Sequence, residues 1–286
     1  MSGFDVSLPI GVFDSGVGGL TVYRALHERL PNERFVYLGD TARVPYGTKS
    51  LATIERYGVE NAKFLASQNI KLLVIACNTA SALAIPAIRK AVAPIEVIGV
   101  IEPGAKSAFE TKAGKIGVIA TEATIHSRAY SRAIHEFNPK VEVIETACPL
   151  FVPLAEESWA NEPETRSIAA KYLRELVENN IETLVLGCTH YPILRDVIQS
   201  TIGANVILID SGQATAFEVE NILKLKNLAN TPSQKTSNRR LCDDLDHFFV
   251  TDAAERFARV AERFLGSQPT RLEAVELWGN DELRTN

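Results

Sequence analysis

Two stretches of the chain share one pattern of apolar residues, and each ends on a cysteine. The first covers residues 69–77 and the second residues 180–188, so that Cys77 and Cys188 lie 111 positions apart. An unbroken apolar run of this length is typical of a strand that is buried on both faces of a parallel sheet. The pattern therefore predicts two equivalent strands, each with a thiol at its carboxyl end.

A second pair of matching runs indicates that the repeat extends over a whole α/β unit. Residues 10–13 match residues 116–119 at nearly the same separation, and each run precedes small and polar residues and then a helical pattern. Each half of the chain therefore predicts the order strand, helix, strand, loop, helix, strand with cysteine, helix.

The repeated order predicts an α/β fold of two pseudo-symmetric lobes, each a mostly parallel sheet flanked by helices, with the active site in the cleft between them. We expect residues 1–98 and 210–286 to form the first lobe and residues 99–209 the second. Segments 98–104 and 207–212 are interpreted as the crossings between lobes. Two late apolar runs, 247–250 and 272–277, are predicted to add strands to the first lobe.

Composition narrows the class of protein. The chain has 286 residues, of which 46% are hydrophobic and 23% charged, as in ordinary globular proteins. Its net charge of −5 gives no indication of a nucleic-acid or membrane surface. Because the sequence contains neither a long apolar span nor the pattern of a signal peptide, we expect a cytoplasmic protein. Its four cysteines are then expected to be reduced, and their spacing predicts no metal site.

Polar residues follow both repeated cysteines at predicted strand-to-helix junctions. Asn78 and Thr79 follow the first cysteine, and Thr189 and His190 follow the second. A helix N-terminus there would bind an anion such as a carboxylate and would lower the pKa of the thiol. The alternative is that each cysteine is a small buried hydrophobic residue, but the duplicated position favours a function.

Two turns after the first two strands supply further candidates. Asp14 and Ser15 open a glycine-rich turn, a common anion site, although Asp14 could instead cap the following helix. Tyr46 and Gly47 lie in a turn where a polar-tipped aromatic side chain is a common ligand contact. The alternative for this second turn is a simple surface connection.

Four motifs together resemble the glutamate racemase family. They are FDSG at 13–16, DTARVPYG at 40–47, ACNTAS at 76–81 and GCTHYP at 187–192. The resemblance implies an isomerase that needs neither cofactor nor metal, interconverts L- and D-glutamate, and supplies D-glutamate for bacterial peptidoglycan. It also implies a homodimer.

The resemblance assigns roles to individual residues. Cys77 and Cys188 become the catalytic thiols, supported by Asp14 and His190. One thiolate would remove the α-proton from one face of the carbon while the opposite thiol returns a proton to the other face. The implied substrate-binding positions are Asp14, Ser15, Tyr46, Gly47, Asn78, Thr79, Thr121, Thr124, Thr189 and His190. An acidic residue near the family's site corresponds to Glu156, with the adjacent Glu157 as the alternative.

Three other functions stay open at this point. An aspartate or other amino-acid racemase would use the same two thiols and would differ in relative turnover of L-glutamate and L-aspartate. A non-catalytic two-lobed binder of small molecules would tolerate a serine at either cysteine. A thiol–disulfide redox protein would need the Cα atoms of Cys77 and Cys188 within about 7 Å.

Overall fold

The computed structural model describes residues 5–232 and 239–277. In chain order, the strands are β1 (Ile10–Asp14), β2 (Phe35–Gly39), β3 (Leu72–Ile75), β4 (Glu96–Gly99), β5 (Lys115–Ala120), β6 (Glu142–Ala147), β7 (Thr183–Gly187), β8 (Ile207–Asp210), β9 (His247–Val250) and β10 (Leu272–Ala274). They form two parallel sheets, a six-stranded one with the order β10-β9-β2-β1-β3-β4 and a four-stranded one with the order β6-β5-β7-β8. The predicted α/β fold with two lobes is therefore confirmed.

Helices connect the strands and cover the sheets, as parallel pairing requires. They are α1 (Leu20–Arg29), α2 (Leu51–Ser67), α3 (Asn78–Leu83), α4 (Ile85–Val92), α5 (Ile101–Glu110), α6 (Glu122–Ser127), α7 (Ala129–Phe137), α8 (Phe151–Glu156), α9 (Pro163–Glu178), α10 (Arg195–Ile202), α11 (Ser211–Leu225) and α12 (Ala254–Leu265). Two short 3₁₀ turns, Tyr46–Thr48 and Tyr191–Leu194, follow β2 and β7. Within the described ranges, no helix has the length and apolar character needed to cross a membrane.

The two lobes repeat the packing of their central strands as well as their order. In β1, a Cβ atom on Gly11 would lie only 2.7 Å from the Ile70 side chain, which precedes β3. In β5, a Cβ atom on Gly117 would lie 2.5 Å from the Ile181 side chain, which precedes β7. Each lobe thus uses one glycine to admit one isoleucine beneath the strand that carries the cysteine.

The two segments interpreted as crossings are partly wrong. Residues 98 and 99 end strand β4, and 207–210 form β8, so each segment contributes to a strand at the edge of a sheet. Each edge strand has one neighbour and only partial burial, which leaves a short and mixed pattern in the sequence. The late strands β9 and β10 are confirmed as members of the first sheet. The boundaries at 98 and 210 stay a prediction, because α11 packs against α1 of one lobe and α5 of the other.

Candidate active site

Both repeated cysteines lie at the carboxyl ends of central strands, where parallel sheets bind ligands. Cys77 follows β3 and is the N-cap residue of α3, and Cys188 directly follows β7. Both thiols are free and nearly fully buried. The central strands β3 and β7 therefore each present one thiol at equivalent ends of the two sheets.

The surroundings of Cys77 carry negative charge. Its Sγ atom lies 3.5 Å from the Ser15 Oγ atom, and the neighbouring Asp14 carboxylate is fully buried, with Oδ2 accepting a 2.9 Å hydrogen bond from the Gly16 amide. Burial, together with the negative charge of Asp14, raises the pKa of the Cys77 thiol to about 12. The expectation that the helix N-terminus lowers this pKa is wrong, because burial outweighs the Ala80 amide. Cys77 rests as a neutral thiol that can donate a proton.

Asp14 does not cap the helix that follows it. Gly19 occupies the N-cap position of α1, without any side-chain cap. A Cβ atom on Gly19 would lie 2.4 Å from the Asp14 Cβ atom, so glycine lets the helix begin against the carboxylate. Burial raises the pKa of Asp14, which makes its carboxyl group able to hold a proton next to Cys77.

The surroundings of Cys188 carry positive charge. The His190 Nδ1 atom lies 3.9 Å from the Cys188 Sγ atom, and its Nε2 atom lies 3.0 Å from the Glu156 Oε1 atom. Burial alone would lower the pKa of His190, but hydrogen bonds to Cys188 and Glu156 outweigh burial and raise this pKa to about 10. Arg256 holds the second Glu156 oxygen at 3.1 Å, whereas Glu157 is exposed. Glu156 is therefore the acidic residue that reaches the site.

The chain after Cys188 differs from the expected helix. A 3₁₀ turn, Tyr191–Leu194, comes first, and α10 begins only at Arg195. Pro192 in this turn has no amide hydrogen to offer to an anion. The prediction of a helix N-terminus at both cysteines is therefore confirmed at Cys77 and wrong at Cys188.

Two glycines of the first lobe allow it to contact the second lobe closely. A Cβ atom on Gly18 would lie 2.3 Å from the Thr189 Oγ1 atom and 2.5 Å from the His190 Nδ1 atom. A Cβ atom on Gly47 would lie 2.9 Å from the Thr121 Cβ atom. The structure thus places Gly47, Thr121, Thr189 and His190, all predicted site residues, at the junction of the two lobes.

Hydroxyl and amide groups line the same junction. The Oγ1 atom of Thr79, at the start of α3, lies 3.0 Å from that of Thr121 and 3.2 Å from that of Thr124 in the other lobe. Asn78 accepts a 2.7 Å hydrogen bond at Oδ1 from the Tyr130 hydroxyl. Its Nδ2 atom is buried without a partner among the described residues. The cleft therefore holds several donors that suit a carboxylate.

Tyr46, a predicted ligand contact, has its hydroxyl engaged within the protein. Its side chain is fully buried, and its hydroxyl donates to Asp40 and accepts a 2.9 Å hydrogen bond from Asn61 Nδ2. Arg43 completes this network by binding Asp40 at 2.8 Å. The alternative of a simple surface turn is wrong, since this network anchors the turn that carries Gly47. Contact of this turn with a ligand stays a prediction.

Three residues near the site have no motif that sequence reasoning could use. Asn61, Tyr130 and Arg256 come from helices far along the chain from the residues they contact. The spacing of Asp40 and Arg43 was a usable signal, because opposite charges three positions apart commonly pair. No cluster of three or more His, Cys, Asp or Glu side chains suited to a metal occurs in the part of the chain that the structure describes.

The fold and site together define a two-lobed α/β racemase with a buried thiol at the end of one central strand in each lobe. Residues 10–219 match the family model of Asp/Glu/Hydantoin racemases, and the chain belongs to this family.

Named relatives sharpen this assignment. A glutamate racemase of Geobacter metallireducens is 51% identical over 96% of this chain and 98% of its own length. The solved structure of glutamate racemase from Francisella tularensis in complex with D-glutamate has a TM-score of 0.86 at 41% identity, covering 95% of this chain and 98% of that one. Picrophilus torridus aspartate racemase is similar in fold alone, with a TM-score of 0.55 and 19% identity over 78% of this chain and all of its own.

Proposed function

We propose that the protein interconverts L- and D-glutamate through Cys77 and Cys188, without a cofactor. The observation that carries the proposal is the presence of two buried free thiols at equivalent strand ends, one beside an anion and one beside a cation. Curated relatives with 47–51% identity are named glutamate racemases, which favours glutamate over aspartate as the substrate.

The charges around the thiols suit opposite tasks. In one direction Cys188, beside His190, acts as the base and removes the α-proton: the C–H bond breaks and an S–H bond forms. Cys77, a neutral thiol at rest, then gives its proton to the other face of the carbanion and becomes the thiolate. The other enantiomer uses the same steps in reverse. Asp14 beside Cys77 and His190 beside Cys188 can carry protons to and from solvent between turnovers.

The α-carbon of an amino acid is a weak acid, so charge that develops on the carboxylate must be stabilised. The free Asn78 amide hydrogens and the hydroxyls of Thr79, Thr121 and Thr124 are donors in the right region. Ser15 and Thr189 add hydroxyls next to the two thiols. Because Asp40 and Asn61 engage the Tyr46 hydroxyl, backbone atoms at Gly47 make the contact between that turn and the substrate.

The deciding experiment is exchange of the α-proton of L-glutamate in D₂O, followed by NMR and optical rotation with no added cofactor. Wild type should exchange and lose optical activity, and Cys77→Ser and Cys188→Ser should each racemise at least about 100-fold more slowly. A serine variant that keeps wild-type racemisation would refute the two-thiol mechanism.

Two alternatives have their own outcomes in the same assay. Exchange with L-aspartate but not with L-glutamate would identify an aspartate racemase. Binding of glutamate without any exchange would identify a non-catalytic binder. A cytoplasmic location stays a prediction of the sequence, and a homodimer and the supply of D-glutamate for peptidoglycan stay predictions of the family resemblance. Light scattering of the purified protein tests the homodimer.

A further inference from the structure

Tyr130 connects the two thiol-bearing junctions. Its ring is buried at the joint of the lobes, where a Cβ atom on Gly187 would lie 2.9 Å from its Cε2 atom and a Cβ atom on Gly104 would lie 3.2 Å from its Cε1 atom. Gly187 directly precedes Cys188. The hydroxyl of Tyr130 reaches Asn78, the residue that directly follows Cys77. One side chain therefore contacts a neighbour of each thiol.

The hydroxyl of Tyr130 also fixes the direction of the Asn78 amide. Burial raises the pKa of Tyr130 above its ordinary value, so the group stays protonated and donates to the Asn78 Oδ1 atom at 2.7 Å. A side-chain amide has one acceptor atom and one donor atom. With Oδ1 engaged, the Nδ2 group is turned away from Tyr130. It is buried there without a partner in the described ranges.

A buried donor without a protein partner is satisfied by an acceptor of a bound ligand or by a water. We propose that Tyr130 is a positioning residue, which locks the Asn78 amide with its Nδ2 donor free for a carboxylate oxygen of the substrate. Tyr130 itself does not contact the substrate. The inference rests on the proposed function. It also explains how the site selects an anionic group, which accepts hydrogen bonds, over a ligand group that donates them.

The chain offers a matched control in Tyr23. Its hydroxyl is equally buried, donates to the Asp246 Oδ2 atom at 2.7 Å and accepts from the Cys242 amide at 2.8 Å. Asp246 also accepts a hydrogen bond from the amide of Phe35, the first residue of β2. This contact lies at the amino ends of the strands, whereas the site lies at their carboxyl ends. Tyr23→Phe removes a buried hydroxyl without touching the cleft.

The test compares Tyr130→Phe with Tyr23→Phe. For Tyr130→Phe we expect KM for both enantiomers to rise about tenfold, the effect of losing one well-placed hydrogen bond to a charged group. For Tyr23→Phe we expect a lower Tm with unchanged KM. If Tyr130→Phe lowers only Tm and leaves KM at the wild-type value, its role is structural and the proposal fails.

A double-mutant cycle gives a second and independent readout. Asn78→Ala and the Tyr130→Phe/Asn78→Ala double variant should bind glutamate equally weakly, because Tyr130 acts only through Asn78. Additive losses would overturn the proposal. Calorimetric Kd values for equilibrated D,L-glutamate do not depend on turnover. If the racemase function is wrong, the wild-type protein will therefore bind glutamate without exchanging its α-proton. If only this inference is wrong, the losses of binding in the double-mutant cycle will be additive.

Discussion

The Cys77 side and the Cys188 side of the site share one strand arrangement and have opposite electrostatics. Both thiols follow central strands, β3 and β7, and in each lobe an isoleucine before that strand packs against a glycine of the neighbouring strand, β1 or β5. Cys77 nevertheless lies beside the buried Asp14 carboxylate, and Cys188 lies beside the His190–Glu156 pair. The duplicated fold thus supplies the geometry, and a few local residues supply the difference in charge.

The last residue of the first strand in each lobe contributes to this difference in charge. β1 ends on Asp14, and the equivalent strand β5 ends on Ala120. In the same way, the second residue after the thiol is Thr79 in one lobe and His190 in the other. A mirror-image reaction needs two bases on opposite faces, but it does not need identical neighbours around them. At rest the Cys77 thiol is therefore neutral beside an acidic residue, whereas the Cys188 thiol lies beside a basic one.

The strongest test of this comparison removes the cation from the Cys188 side. His190→Asn should lower kcat/KM by about 10²- to 10⁴-fold, the usual contribution of a positioned proton-transfer group. Because L- and D-glutamate have equal free energies in water, kcat/KM must fall equally in both directions, whereas kcat and KM can each change unequally. Initial rates from both enantiomers measure this.

Thr79→Ala, at the equivalent position of the other lobe, is the matched variant for His190→Asn. It removes a hydroxyl and no charge, so its effect should be clearly smaller. Equal losses in the two variants would mean that the charge difference between the sides has no role in catalysis.

A second test acts on the anion of the Cys77 side. Asp14→Asn removes the negative charge that, after burial, contributes most to the raised pKa of Cys77, so this pKa should fall below about 12. The alkylation rate of Cys77 by iodoacetamide, followed by peptide mass spectrometry across pH, reports the shift. Cys148, whose pKa is raised by burial and not by Asp14, serves as the internal control in the same samples. An unchanged Cys77 profile would contradict the assigned charge effect.

The features that the Cys77 and Cys188 sides share are the ones that the sequence could predict. Unbroken apolar runs before Cys77 and Cys188 are local signals, and they place both thiols at strand ends. The neighbours that distinguish the sides depend on tertiary contacts. Glu156 meets His190 across 34 positions and Tyr130 meets Asn78 across 52, and neither contact leaves a periodic pattern.

The errors have equally physical reasons. Rules for a thiol at a helix N-terminus give a lowered pKa, but at Cys77 burial is the larger effect and reverses the sign. Tyr46 lies in a turn that the sequence could also place at the surface, yet Asp40 and Asn61 satisfy its hydroxyl inside the lobe. In both cases the burial of the side chain depends on tertiary contacts, which the local motif does not show.

A third and smaller effect concerns the contact between the lobes on the Cys188 side. Gly18→Ala would place a Cβ atom 2.3 Å from the Thr189 Oγ1 atom, so the lobes must shift, at a cost of about 1–3 kcal/mol. We expect a lower Tm and a higher KM. Gly114→Ala is the control, since its Cβ atom would meet only the Glu182 side chain at 3.3 Å. Equal Tm and KM values for the two variants would show that close approach at Gly18 is unimportant.

The smallest expected effect tests whether Glu156 holds the positive charge on His190. Because the pKa of His190 is raised from 6.5 to about 10, its pairing stabilises the folded state fully below pH 6.5, and this stabilisation is lost as pH rises toward 10. Glu156→Gln should weaken the shift, so the Tm of the variant should lie below that of wild type at pH 6 and approach it near pH 10. Each kcal/mol corresponds to roughly 2–4 °C in Tm. Glu157→Gln changes the exposed neighbouring carboxylate and should follow the wild-type profile in calorimetry. If both glutamine variants give the same Tm-against-pH curve, Glu156 does not hold the charge of His190, and the asymmetry of the two sides must come from the thiols' burial alone.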